Sequence, residues 1–134
     1  MTRYVIDAAA AIAIARDQTV IAPDDSLVAP SLLRSQVLSI LYRAVRAGEL
    51  TPEEGRALLE RVTELKIRLL GDRVSRGTAW RIAEQLGWDD TADAEYLAVT
   101  RLQADALIAL DPELAIRARG VVPLATIDVL NTVA

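Results

Sequence analysis

Ala106-Leu107-Ile108-Ala109-Leu110-Asp111 is a continuous apolar run of strand length that stops on an acid. With no polar residue alternating through it, the run suits a strand buried on both faces, as the strands of parallel sheets are. The N-terminus repeats the arrangement: Tyr4-Val5-Ile6 is β-favouring and ends at Asp7, and Ala8 to Ala15 then mixes small and apolar residues as a helix allows. Between these two lies Leu27-Val28-Ala29, a third short apolar segment stopped by Pro30. Ser31 is placed to cap a helix in which Leu32, Leu33, Val37, Ile40, Leu41 and Val45 recur at spacings of three and four, and Gly48 closes it. Thr51-Pro52-Glu53-Glu54 is a helix start with cap, first-turn proline and capping glutamate, and the reading carries this helix to about Leu70, before Gly71. Ser75 to Gln85 reads as a helix closed by Gly87, and Thr91 to Leu102 as another, preceded by Asp89 and Asp90. A short helix from Pro112 to Arg117 leads through Gly120 to an expected last strand, Val121 to Leu124. Strands separated by helices imply parallel pairing through crossovers. The expected fold is α/β: a three-layer α/β/α sandwich with a central, mostly parallel sheet, one domain over residues 1–134.

Composition narrows the chemistry. The chain has 52% apolar and 25% charged residues, a balance that supports a buried core and argues against disorder. It has neither cysteine nor histidine. Disulfides, thiolate nucleophiles, Ser-His-Asp triads, histidine bases and His- or Cys-ligated zinc are therefore excluded together. Any metal chemistry must use oxygen ligands, which favour hard cations such as Mg²⁺ or Mn²⁺. Nineteen acidic against 15 basic residues give a net charge of −4, so a nucleic-acid role would need a local basic face. Lys66 is the single lysine and the rest of the basic set is arginine, whose planar fork matches phosphate. The apolar N-terminal stretch is interrupted by Asp7, ended by Arg16 and Asp17, and too short to span a bilayer. The expected location is the cytoplasm, away from membranes.

In parallel sheets ligands gather at the carboxyl ends of the strands. Asp7 and Asp111 each follow a strand directly in this reading, Asp93 stands in the first turn of the helix before the second of those strands, and Asp90 lies three residues ahead of it. Carboxylates brought together repel unless a cation lies between them, so such a cluster, lacking a balancing lysine or arginine, is a candidate divalent-metal site, best suited to Mg²⁺. Each residue also has a structural reading: Asp90 as a helix cap, Asp93 as an acid favoured by the helix dipole, and Asp7 and Asp111 as turn formers.

Four blocks occur in the order and spacing of PIN domains: Tyr4-Val5-Ile6-Asp7-Ala8, Pro30-Ser31-Leu32-Leu33-Arg34-Ser35-Gln36-Val37-Leu38, Thr91-Ala92-Asp93-Ala94-Glu95-Tyr96-Leu97-Ala98, and Leu107-Ile108-Ala109-Leu110-Asp111-Pro112-Glu113-Leu114-Ala115. The chain resembles the VapC toxins among them, over essentially its whole length. That resemblance implies a metal-dependent endoribonuclease that hydrolyses RNA with Mg²⁺ or Mn²⁺ and is held in check by a VapB-like antitoxin. It implies Asp7 and Asp93 as metal ligands and Asp111 as an outer or second-metal ligand. At the fourth acidic position, where the family has glutamate, this sequence has Gln36, which offers an amide oxygen but no charge and no general base. Arg34, one helical turn from Gln36, is the first candidate for RNA backbone contact, with Arg3, Arg73 and Arg76 behind it.

The alternative of a different class is a non-catalytic PIN-like module that binds a partner or RNA without cleaving it. A receiver-like signalling domain fits less well, because the single lysine, Lys66, lies inside the expected helix and away from the acids. Leu58, Leu59, Val62, Leu65, Leu69 and Trp80 give two helices apolar faces wide enough for either core packing or a homodimer or antitoxin interface.

Overall fold

The computed structural model describes residues 1–131. Its strands are β1 (Thr2–Ile6), β2 (Asp25–Pro30), β3 (Ile67–Leu70) and β4 (Ala106–Ile108). Its helices are α1 (Ala8–Asp17), α2 (Leu33–Arg46), α3 (Pro52–Glu64), α4 (Arg73–Leu86), α5 (Ala92–Gln103) and α6 (Pro112–Ala118), with a 3₁₀ turn at Ile127–Asn131. The sheet runs β3-β2-β1-β4 and every pair is parallel. Val5, Ile6, Val28, Ala29, Leu107 and Ile108 are all buried, as uninterrupted apolar strands between two helical layers require. Helices α1, α2 and α3 pack on one another, while α5 lies across β1, β2 and β4 with α4 against it. This is the expected three-layer α/β/α sandwich.

The strand order positions the site. The chain steps outward from β1 to β2 to β3, then returns across the sheet to place β4 on the other side of β1. Connections leaving β1 and β4 therefore diverge, and a crevice opens at their carboxyl ends. The register sets Ile6 beside Ile108, and the Asp7 N–H donates to the Ile108 carbonyl at 3.3 Å.

Four local expectations need correction. The helix that opens at Thr51 ends at Glu64, and Ile67–Leu70 is strand β3, in register with Leu27 to Pro30 of β2. Leu58 and Val62 face the core and Leu59, Leu65 and Leu69 are half-buried against it, so this apolar face is core packing; Trp80 on α4 is 67% exposed. The segment from Val121 to Leu124 forms a single parallel bridge, Leu107 to Leu124, and no strand. Pro123 has no N–H to donate to a ladder. Strand β4 ends at Ile108, leaving Asp111 three residues beyond it. Ser31 does not cap α2: the cap residue is Leu32, without a side-chain bond, and the Ser31 N–H instead donates to the Leu70 carbonyl of the β3 edge at 3.0 Å.

The Thr51 capping box forms as read, with Glu54 N–H to Thr51 Oγ1 at 3.1 Å and Thr51 N–H to Glu54 Oε1 at 2.8 Å. Among the described residues no helix is long and apolar enough to cross a membrane.

Candidate functional site at the carboxyl edge of the sheet

Asp7 is the most constrained acid of the chain. It follows β1 directly, caps α1, and is only 3% exposed. One carboxylate oxygen accepts the Ala10 N–H at 2.8 Å and the other accepts the Asp111 N–H at 2.9 Å. These bonds fix its orientation and tie the ends of β1 and β4 together. Burial pushes the Asp7 carboxyl above the usual range; the two N–H donors oppose this, and the neighbouring Asp111 carboxylate adds to it.

Asp111 is exposed and caps α6, its side chain accepting the Glu113 N–H at 3.1 Å. Asp93, in the first turn of α5, is drawn to the same edge because α5 begins where β4 ends. Its carboxyl is also raised, chiefly by burial, against the pull of Arg117 and with the help of Asp111 and Glu113. Asp90 stays exposed and bonds the Ala92 N–H at 3.1 Å, so its role is the structural one.

Asp7, Gln36, Asp93 and Asp111, carried by four separate segments, line one open cleft of about 560 Å³ together with Ser39, Ile40, Arg43, Tyr96 and Leu114. The four polar residues expected at the site are thus brought to one place. Arg34 is not: it lines a separate small pocket between α2, α3 and β3 with Leu33, Leu59, Val62 and Thr63. The arginine at the rim of the acidic cleft is Arg43. Arg3 sits near the amino end of β1, its N–H bonded to Asp105, and Arg73 and Arg76 open α4, which follows β3.

Two residues at these acids went unread in the sequence. Tyr96, 1% exposed, donates its hydroxyl to Gln36 Oε1 at 2.5 Å. Burial, then Asp7, Asp93 and Glu95, raise its pKa, so it remains a phenol and a donor. Arg117 Nη1 lies 3.0 Å from Asp93 Oδ2, its Nη2 lies 3.4 Å from Glu113 Oε1, and its guanidinium lies 4.8 Å from the ring centre of Trp88. The expectation of an acid cluster without a balancing base is corrected accordingly. The available signals were spacings: Tyr96 is three residues after Asp93 on one helix face, and Glu113 and Arg117 form an (i, i+4) pair.

The donor chemistry fits Mg²⁺ or Mn²⁺, being oxygen only. The placement does not yet fit: among the described residues no three acidic side chains are grouped to hold one ion. Asp93 already has a cation beside it, and Gln36 contributes no charge.

The fold and this crevice define a parallel α/β protein with an acidic cleft where the strand connections diverge. The structure is similar to the crystal structure of PAE2754 from Pyrobaculum aerophilum, with a TM-score of 0.74 and 22% identity over 96% of this chain and 92% of that one. At this identity the likeness is one of fold. No family model and no curated protein matches the chain.

Proposed function

We propose that this chain is a divalent-cation-dependent endoribonuclease, weakened by Gln36, of the kind its resemblance to VapC toxins implies. One observation carries the reading: Asp7, Asp93, Asp111 and Gln36, far apart in sequence, line a single open cleft at the carboxyl edge of the sheet. Mg²⁺ or Mn²⁺ bound there would neutralise phosphate charge and make an attacking water more acidic. The chain supplies the positioning. Asp7 is held rigid by two N–H donors, the Tyr96 hydroxyl fixes the Gln36 amide, and Arg43 offers a cation for RNA phosphates at the rim. A VapB-like inhibitor and a homodimer belong to the same proposal; exposed Val74 and Trp80 on α4 are the apolar residues a second copy would cover.

A second reading, a non-catalytic module that keeps the fold, is favoured by the neutral Gln36 and by Arg117 on Asp93. Restoring the acid separates the two. Gln36→Glu adds a charge where Tyr96 already donates, and is expected to raise Mn²⁺-dependent RNA cleavage at least tenfold, a change equal to about 1.4 kcal/mol of barrier. Mn²⁺ calorimetry on the wild type and Asp7→Asn accompanies the assay. Binding lost in Asp7→Asn, together with cleavage, supports the nuclease; no binding and no cleavage in wild type or Gln36→Glu leaves the non-catalytic module.

A further inference from the structure

Arg117 is not among the residues that line the cleft, but it reaches one of the acids that do, Asp93, and has three contacts. The Arg117 guanidinium bonds Asp93 at 3.0 Å, reaches Glu113 at 3.4 Å and lies over the Trp88 ring at 4.8 Å. Arg117 is about one third exposed, Asp93 less so, and Glu113 is largely in solvent. A charge-assisted bond in so sheltered a place is strong, and the ring further favours a cation. A divalent ion on Asp93 would stand against this guanidinium as a like charge, and the two share the carboxylate only at a cost. Glu113, one helical turn before Arg117 on α6, is a second carboxylate the guanidinium can take without α6 moving.

We propose that Arg117 is the resident counter-ion of the acidic cleft, that a divalent cation reaches Asp93 only by displacing it, and that Glu113 receives the displaced guanidinium. The inference rests on reading the cleft as a cation site. Cation affinity then depends on how firmly Arg117 is held as well as on the ligands themselves. A population shift of this kind requires only that the ion interact differently with the two arginine positions.

The test is Mg²⁺ calorimetry on the full chain and on a cycle of Arg117→Gln, Glu113→Gln and the double variant. Removing the competitor is expected to tighten Mg²⁺ binding about tenfold, the worth of one charge-assisted hydrogen bond. Glu113→Gln is expected to weaken binding several-fold while Arg117 is present and to have little effect once it is gone; a mere loss of charge would act equally in both backgrounds. Arg117→Lys keeps the charge and is expected to bind weakly, as the wild type does. The optical readout is Trp88 emission in a Trp80→Phe background, which leaves one tryptophan; Mg²⁺ should change it with the calorimetric midpoint, and Asp93→Asn should remove the response.

If Arg117→Gln binds no tighter than the wild type, or Glu113→Gln acts alike in both backgrounds, the displacement is wrong although the cleft binds cations. If Mg²⁺ binds Arg117→Gln but not the wild type, Arg117 closes the site and its displacement onto Glu113 is overturned. If neither binds, the cation site itself is refuted and the inference falls with it. Tighter binding by Arg117→Gln without RNA cleavage, in the Gln36→Glu background as well, leaves the inference in place and refutes the nuclease.

Discussion

Asp7 carries a charge that the fold disfavours, and the sign of its effect on stability follows. Its carboxyl is raised by burial above the ordinary value of 3.8, so the folded chain holds the proton more tightly than the unfolded chain does. Its contribution to stability is fully present below pH 3.8 and is lost as pH rises through the higher folded value. Asp7→Asn carries no charge to desolvate, but turns one amide N–H₂ toward a backbone N–H that the carboxylate accepts. The variant should therefore melt below the wild type at pH 4 and gain on it as pH rises to 7; a difference in melting temperature that does not change with pH would refute the burial argument. Asp93, also raised, makes the same contribution in Asp7→Asn, so the comparison isolates Asp7. These residues also mark how much of the site the sequence disclosed. Asp7, Asp93 and Asp111 were legible because strand ends and a helix start place them, and Gln36 only through the resemblance to PIN domains. Tyr96 and Arg117 were not: the Tyr96–Gln36 bond spans 60 residues and the Arg117–Asp93 pair 24, and only the fold brings these partners together.

Helices α2 and α3 meet at a glycine. A Cβ on Gly55 would stand 2.5 Å from Val45 Cγ2, and a β-branched side chain has little rotameric room to withdraw. Helix propensity favours Gly55→Ala by about 1 kcal/mol, whereas overpacking costs about 1–3 kcal/mol. The steric term should win, lowering stability by about 1 kcal/mol in chemical denaturation, and Val45→Ala should remove the penalty in the double variant. A gain in stability from Gly55→Ala alone would show that the helices separate freely. The same helix α2 carries the nucleic-acid prediction. Its charged residues are all arginines: Arg34, Arg43 and Arg46. Arg43 is the one at the acidic cleft. In EDTA, where binding is read without cleavage, Arg43→Glu should weaken single-stranded RNA binding more than Arg34→Glu and reduce the salt slope by about 0.7. Equal effects would place the RNA elsewhere. Element boundaries were the least legible part of the fold. The passage from α3 into β3 has no glycine or proline at Leu65-Lys66, and Leu58, Val62, Leu65 and Leu69 keep helical spacing straight through the strand. Only pairing with β2 makes Ile67–Leu70 extended.

At the scale of the whole molecule the three layers were legible because the order of apolar runs and helices fixes parallel pairing, whereas strand order, with β4 returning beside β1, came only from the structure. That order gathers acids at one edge of a chain whose net charge is already −4. Any cation stabilises such a chain a little by screening, so a rise in melting temperature with Mg²⁺ is not by itself evidence of a site. A site adds a term that saturates. At 100 times its dissociation constant a ligand bound only by the folded state contributes about 2.7 kcal/mol, or about 10 °C in melting temperature for a chain of this length. Mg²⁺ should therefore raise the melting temperature along a saturating curve, well beyond NaCl at matched ionic strength. Asp93→Asn should reduce the response to the NaCl level, because it removes a ligand of the cleft while leaving the screening of the remaining charges almost unchanged. Identical curves for Mg²⁺ and NaCl in the wild type would mean that the cleft holds no divalent cation and that these acids respond to salt only through screening.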